Sequence, residues 1–137
     1  MELLVLFNDK YTITGVSKDG ECDAINTLIE AGEEGQYQAS VDGLMNLLER
    51  VSKDGLINLS SKLTHFADQD EKIYEFIKGD LRLFYFKGEG DFLVICTSAT
   101  IKKTQKADKK HVRRAIKLKN EYLKSVQNGT LTVVEDN

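Results

Sequence analysis

The residues of this chain most able to do chemistry are cations. Lys102, Lys103, Lys106, Lys109, Lys110, Arg113, Arg114, Lys117 and Lys119 crowd into residues 102–119, across the exit of an apolar run and the first turns of a helical one. Cations near a helix N-terminus oppose the macrodipole, typically by 0.3–1 kcal/mol each. Lys109 and Lys110 therefore work against the fold unless a ligand uses them. Phosphate suits that role, because the free N–H groups of a helix start already favour an anion. Any one of these lysines is explained by a long stem covering apolar surface; the cluster points to phosphate. Aromatic residues Tyr74, Phe76, Phe84, Tyr85, Phe86 and Phe92 interleave with basic ones just upstream. Their alternation assigns most of them to a core, with Tyr85 and Tyr74 the candidates to stack on a base of single-stranded RNA.

Charge over the whole chain supports a polyanion partner. The net charge of −3 divides unevenly: residues 1–71 hold 5 basic and 14 acidic side chains, residues 72–124 hold 14 basic and 6 acidic. Such asymmetry implies either a polyanion bound by the basic half or two halves that neutralise each other within one fold. Other chemistries find little support. Cys22 and Cys96 are far apart in different apolar patterns, so two buried thiols are expected, with neither disulfide framework nor metal spacing. No apolar run approaches the roughly 20 residues that span a bilayer. Met1-Glu2-Leu3-Leu4-Val5 lacks a basic leader region, and a cytoplasmic setting without membrane contact is expected. His65 and His111 read as surface or capping residues.

The elements that must position the cations follow from hydrophobic period. Leu3 to Phe7 and Tyr11 to Val16 suit a hairpin turned at Asn8-Asp9-Lys10. Cys22, Ile25, Leu28 and Ile29 recur at helical spacing up to Gly32, and Tyr37, Val41, Leu44, Met45, Leu48 and Val51 do so up to Gly55. The period then falls to two. Residues 72–78, 81–87 and 91–99 are β-rich runs joined by Lys78-Gly79-Asp80 and Gly88-Glu89-Gly90, which predicts a three-stranded antiparallel meander. The run Phe92-Leu93-Val94-Ile95-Cys96 is apolar on both faces and should be central. A last helix is predicted from an Asp108 N-cap over roughly 108–125, with a short edge strand possible at Leu131 to Val134. The predicted class is α+β: an N-terminal hairpin, a helix pair, an antiparallel meander and a C-terminal helix in a single domain over 1–137.

The meander and the helix after it carry a resemblance. Lys72-Ile73-Tyr74-Glu75-Phe76-Ile77-Lys78-Gly79-Asp80-Leu81-Arg82-Leu83-Phe84-Tyr85-Phe86 resembles the "yELR…yRilYf" strand pair of phage-derived and HigB-like toxins in the RelE superfamily. Ile101-Lys102-Lys103-Thr104-Gln105-Lys106, with the basic helix holding Ala115 and Tyr122, is similar to that family's "F-x-K-K-t-x-k" exit and final helix. The likeness covers residues 72–124; the tail 125–137 and the long stretch before the sheet lie outside it.

The resemblance implies the toxin of a toxin–antitoxin pair, an mRNA endoribonuclease working on the ribosome without metal or cofactor. A helix-turn-helix antitoxin would be its protein partner. Cleavage by a 2′-hydroxyl needs a base, cations for the charge building on phosphorus, and an acid for the leaving 5′-oxygen. Arg82 matches the family's strand arginine, which implies phosphate stabilisation, and Lys102 and Lys103 match its exit lysines. Lys78, Tyr85, Lys106, Lys109, Lys110 and Arg113 complete the expected RNA-binding set. Glu75 is expected as the ion-pair partner of Arg82. Three departures stand out: Ile77 replaces a basic residue common in the family, Ala107-Asp108 replaces the usual proline, and no histidine ends the sheet. The alternative is a non-catalytic RNA- or protein-binding regulator on the same scaffold.

Overall fold

The computed structural model describes residues 1–102 and 108–135. Strands β1 (Glu2–Asn8) and β2 (Thr12–Lys18) form the N-terminal hairpin. A two-residue strand β3 (Glu21–Cys22) leads into α1 (Asp23–Glu33), and a single 3₁₀ turn at Gly35–Tyr37 leads into α2 (Gln38–Asp54). Strands β4 (Thr64–Asp68), β5 (Ile73–Lys78), β6 (Leu81–Phe86) and β7 (Phe92–Ile101) follow, then α3 (Lys109–Asn128) and β8 (Thr132–Glu135). All the strands join one sheet in the order β4-β5-β6-β7-β2-β1-β8, with β3 paired to β2. The mixed α+β layout is the one predicted.

Two apolar layers hold the helices to the sheet. On one face Leu28 of α1 and Leu44, Leu48 and Val51 of α2 bury against Phe76, Leu83, Tyr85, Val94 and Cys96. On the other, Ala115 and Tyr122 of α3 bury against Leu3, Ile73, Phe86 and Ile95. Tyr122 is buried to its hydroxyl, which accepts the Glu89 N–H at 2.9 Å, so the ring brings its polar end to a partner. Strand β7 is covered on both faces, as its unbroken apolar run requires. It also carries a bulge: Phe84 pairs with Ser98 and Tyr85 with Cys96, which leaves Thr97 as the extra residue.

The ends of α3 obey their local chemistry. The Asp108 carboxylate accepts the His111 N–H at 3.4 Å, and Gly129 at φ 68° closes the C-terminus in the left-handed conformation.

Two features depart from the pattern reading. The segment before the meander, read as a connection, contains β4, which pairs antiparallel with β5. Its sequence Thr-His-Phe-Ala-Asp carries no clear alternation, and none of its five residues is fully buried. The N-terminal hairpin is also part of the meander's own sheet, through parallel pairing of β2 with β7, and β8 adds in parallel to β1 beyond it. Parallel neighbours share no turn, so no short-range signal announces them.

At the β2–β7 junction Gly15 pairs with Cys96, and the Cys22 sulfur packs where a Gly15 β-carbon would stand. Burial raises the pKa of both thiols, and both cysteines are free. Gly15→Ala should therefore force Cys22 out of place and lower stability by about 1–3 kcal/mol. A lower urea midpoint at unchanged m would register it, and Gly15→Ala combined with Cys22→Ala should recover part of the loss.

Candidate functional site

Glu75 and Arg82 stand on neighbouring strands as a diagonal pair, since Glu75 is opposite Phe84 and Arg82 is opposite Ile77. Both side chains point to the α3 face. The Arg82 Nε lies 3.6 Å from Glu75 Oε1, and Nη1 donates to the carbonyls of Gly79 at 2.8 Å and Leu81 at 2.9 Å. Nε itself is buried and has no hydrogen-bond partner among the described residues. The pair is not sealed. Arg82 keeps 17% of its side-chain surface against 9% for Glu75, and it lines a cleft of about 180 Å³.

Three other elements complete that cleft. Strand β7 supplies Thr100 and the residue just after it Lys102, β4 supplies His65, and the start of α3 supplies Asp108 and Val112. The Lys102 backbone is tied down by its N–H donating to the Asp80 carbonyl at 2.7 Å. His111 fixes α3 over the sheet. Its Nδ1 is 2.6 Å from Ser98 Oγ, its Nε2 is 3.6 Å from Asp108 Oδ2, and its ring stacks on Phe84 at 5.2 Å. The first turn of α3 holds no acidic residue, and Lys109, Lys110 and Arg113 are exposed there. The arrangement can take an anion between a guanidinium, an ammonium and a basic helix start.

The structure thus brings Arg82 and Lys102 into one cleft, with Lys109, Lys110 and Arg113 on the helix that borders it. Lys103 and Lys106 lie outside the described residues. Two expectations need correction. Tyr85 was a candidate platform for a base, but it is 1% exposed and stacks on Tyr74 at 5.2 Å and on Phe76 at 4.2 Å. Its hydroxyl shares a 2.7 Å hydrogen bond with Thr64, and burial raises its pKa. A ring so enclosed has no face to offer. Lys78 is exposed, but it sits beside Gly43 and Arg50 of α2, on the sheet face away from Arg82. Strand alternation put both residues there: Lys78, Leu81 and Tyr85 share the face opposite Arg82.

His65, read from the pattern as a surface or capping residue in a connection, belongs to the cleft instead. It occupies β4 opposite Glu75, with Nε2 3.7 Å from Glu75 Oε1. Recognising β4 as a strand would have found it, because a partner opposite Glu75 shares its face.

Residues 36–120 match the family described as Phage derived protein Gp49-like (DUF891). The chain belongs to the Gp49-like family. The match covers more than half of the 137 residues, from just before α2 to within α3, and it includes every cleft residue named above. The Gp49-like family is associated with toxin–antitoxin systems and related to the RelE and HigB toxins. No curated protein matches the chain. Among the described residues no helix is long and apolar enough to cross a membrane, and no His, Cys, Asp and Glu cluster is placed to hold a metal ion.

Proposed function

We propose that this Gp49-like protein is the toxin of a toxin–antitoxin pair and cleaves mRNA on the ribosome at the Arg82 cleft. One observation carries the reading. Arg82 is held by two backbone carbonyls, yet its side chain keeps part of its surface open to the cleft, and its buried Nε–H finds no acceptor among the described residues. A preorganised guanidinium of this kind stabilises charge that develops on a phosphate. Lys102 adds a second cation, with Lys103 next to it in sequence, and the basic start of α3 gives the RNA backbone a path away from the cleft.

In this reading the whole chain acts as one domain in the cytoplasm. It needs no cofactor, and a helix-turn-helix antitoxin encoded alongside keeps it in check. Induction without the antitoxin should arrest growth, and primer extension should show new 5′ ends within translated messages. Growth at the normal rate with intact messages would overturn the proposal.

The second reading, an RNA-binding regulator that does not cut, is favoured by Ile77 and by Glu75, whose carboxylate offsets part of the Arg82 charge. Salt dependence tests the RNA contact common to both. Lys110→Ala should reduce the magnitude of the salt slope by about 0.7, the share of one phosphate on a single strand, with only modestly weaker binding. Saturated cleavage should change little. Filter binding across a salt series measures the slope directly.

A further inference from the structure

The cleft needs a group to take the 2′-hydroxyl proton, and the side chains around it differ sharply in fitness for that task. Tyr85, Cys22 and Cys96 are buried. His111 does not line the cleft: its ring lies flat on Phe84 and its Nδ1 is held by Ser98. Lys102 serves as a cation.

Glu75 is paired with Arg82, and the Asp108 carboxylate caps α3. Among the described side chains that line the cleft His65 remains, and its surroundings suit proton transfer. Its Nδ1 is 2.9 Å from the Phe66 carbonyl oxygen, which can only accept, so Nδ1 carries the hydrogen. The neutral ring therefore presents a lone pair at Nε2. Nε2 lies 3.7 Å from Glu75 Oε1, beyond a hydrogen bond but within reach of an imidazolium's charge. Glu75 in turn is held on its other side by Arg82. The imidazole is 47% exposed and lines the cleft, so substrate can reach it.

We propose that His65 is the proton acceptor of the cleavage step, with the Phe66 carbonyl holding the ring through Nδ1 and the Glu75 carboxylate balancing the charge the imidazole gains. This rests on the RNA-cleaving reading of the cleft. In the step, the 2′-oxygen gives its proton to His65 Nε2 and forms a bond to phosphorus. The bond from phosphorus to the 5′-oxygen breaks, and that oxygen takes a proton from the Lys102 ammonium. The products are a 2′,3′-cyclic phosphate and a free 5′-hydroxyl. Water then accepts the proton from His65 and returns one to Lys102, so no co-reactant is consumed. Arg82 neutralises the charge on phosphorus between the two proton transfers.

The test compares the wild-type protein, His65→Ala, His65→Gln and Arg82→Ala on a translated message with ribosomes, with and without added imidazole. Circular dichroism confirms folding, and His65→Gln preserves side-chain bulk on the edge strand should alanine disturb it. Expected is a loss in kcat of roughly 10²-fold or more in both His65 variants, with KM nearly unchanged. Imidazole should restore part of the kcat of His65→Ala, whose site it can occupy, and none of His65→Gln. A structural role for the ring would not respond to imidazole. Wild-type kcat in His65→Ala, beside an inactive Arg82→Ala, would overturn this assignment and leave the nuclease reading standing. Loss of activity in both His65 variants without rescue by imidazole would overturn it as well. An inert wild-type protein would remove the nuclease reading and this assignment together.

Discussion

Arg82→Ala is expected to lower RNA cleavage by roughly 10²–10³-fold, the usual effect of removing one preorganised electrostatic contact to a transition state. The guanidinium is fixed before substrate arrives by the Gly79 and Leu81 carbonyls, so its contribution falls mainly on kcat. Its removal also strands Glu75, whose side chain is only 9% exposed. Some loss of thermal stability should accompany the loss of activity. Arg82→Ala with Glu75→Gln separates the two effects, because neutralising the carboxylate should recover stability but not cleavage. Arg82→Lys keeps the charge and loses the fork, so it should remain well below wild type. If Arg82→Ala weakens RNA binding yet leaves the rate on bound message intact, the cleft binds without cutting. Restoring a basic residue at Ile77 then becomes the informative variant: recovered cleavage marks a decayed nuclease, and continued silence a binding protein.

Tyr85→Ala should have the largest effect on stability, about 3–5 kcal/mol, as for other large aromatic side chains removed from a core. Total stability of a domain this size is of order 5–15 kcal/mol, so the variant should be partly unfolded at physiological temperature. The ring forms the centre of an aromatic column, in which Phe66 stacks on Tyr74 at 4.7 Å, Tyr74 on Tyr85 and Tyr85 on Phe76. Tyr85→Phe removes only the hydroxyl shared with Thr64 and should lose about 1 kcal/mol. RNA affinity at equal folded fraction should be the same for Tyr85→Phe and wild type. A selective loss of affinity in Tyr85→Phe would return this residue to the interface and contradict its burial.

The contrast between Arg82 and Tyr85 shows what could be read from the chain alone. The meander, both long helices and the Asp108 cap were legible because each has a local signature: a period, a short glycine-containing turn, a capping side chain. Arg82 came from the likeness of two strands to a family pattern. Tyr85 was misplaced because aromatic residues among basic ones look alike whether they line a core or a surface. Only the pairing Tyr74–Tyr85 and the helices beneath it decide which. The Thr97 bulge was invisible for a related reason. Val94 and Cys96 face α1 and α2, and so do Ala99 and Ile101, so the alternation changes phase across Thr97. That change of phase carries Ser98, Thr100 and Lys102 to the α3 side. His65 was read as a surface or capping residue because its strand is short, lies at an edge and lacks a strong period.

The two parallel pairings have a further consequence, for the order of folding. Glu2 aligns with Thr132 and Thr12 with Phe92, so the first hairpin finds its partners only across most of the chain. Strands β4 to β7 close through short neighbouring turns, and α3 follows them directly. The cleft can therefore assemble early from local contacts, whereas β1 stays an open edge until residue 135 has been made. Contacts so distant in sequence slow folding, because loop closure must precede the pairing that rewards it. Refolding should show an early phase reported by the cleft and a slower one reported by the N-terminal hairpin. In a growing chain, the last strand to dock would be the one that covers the first.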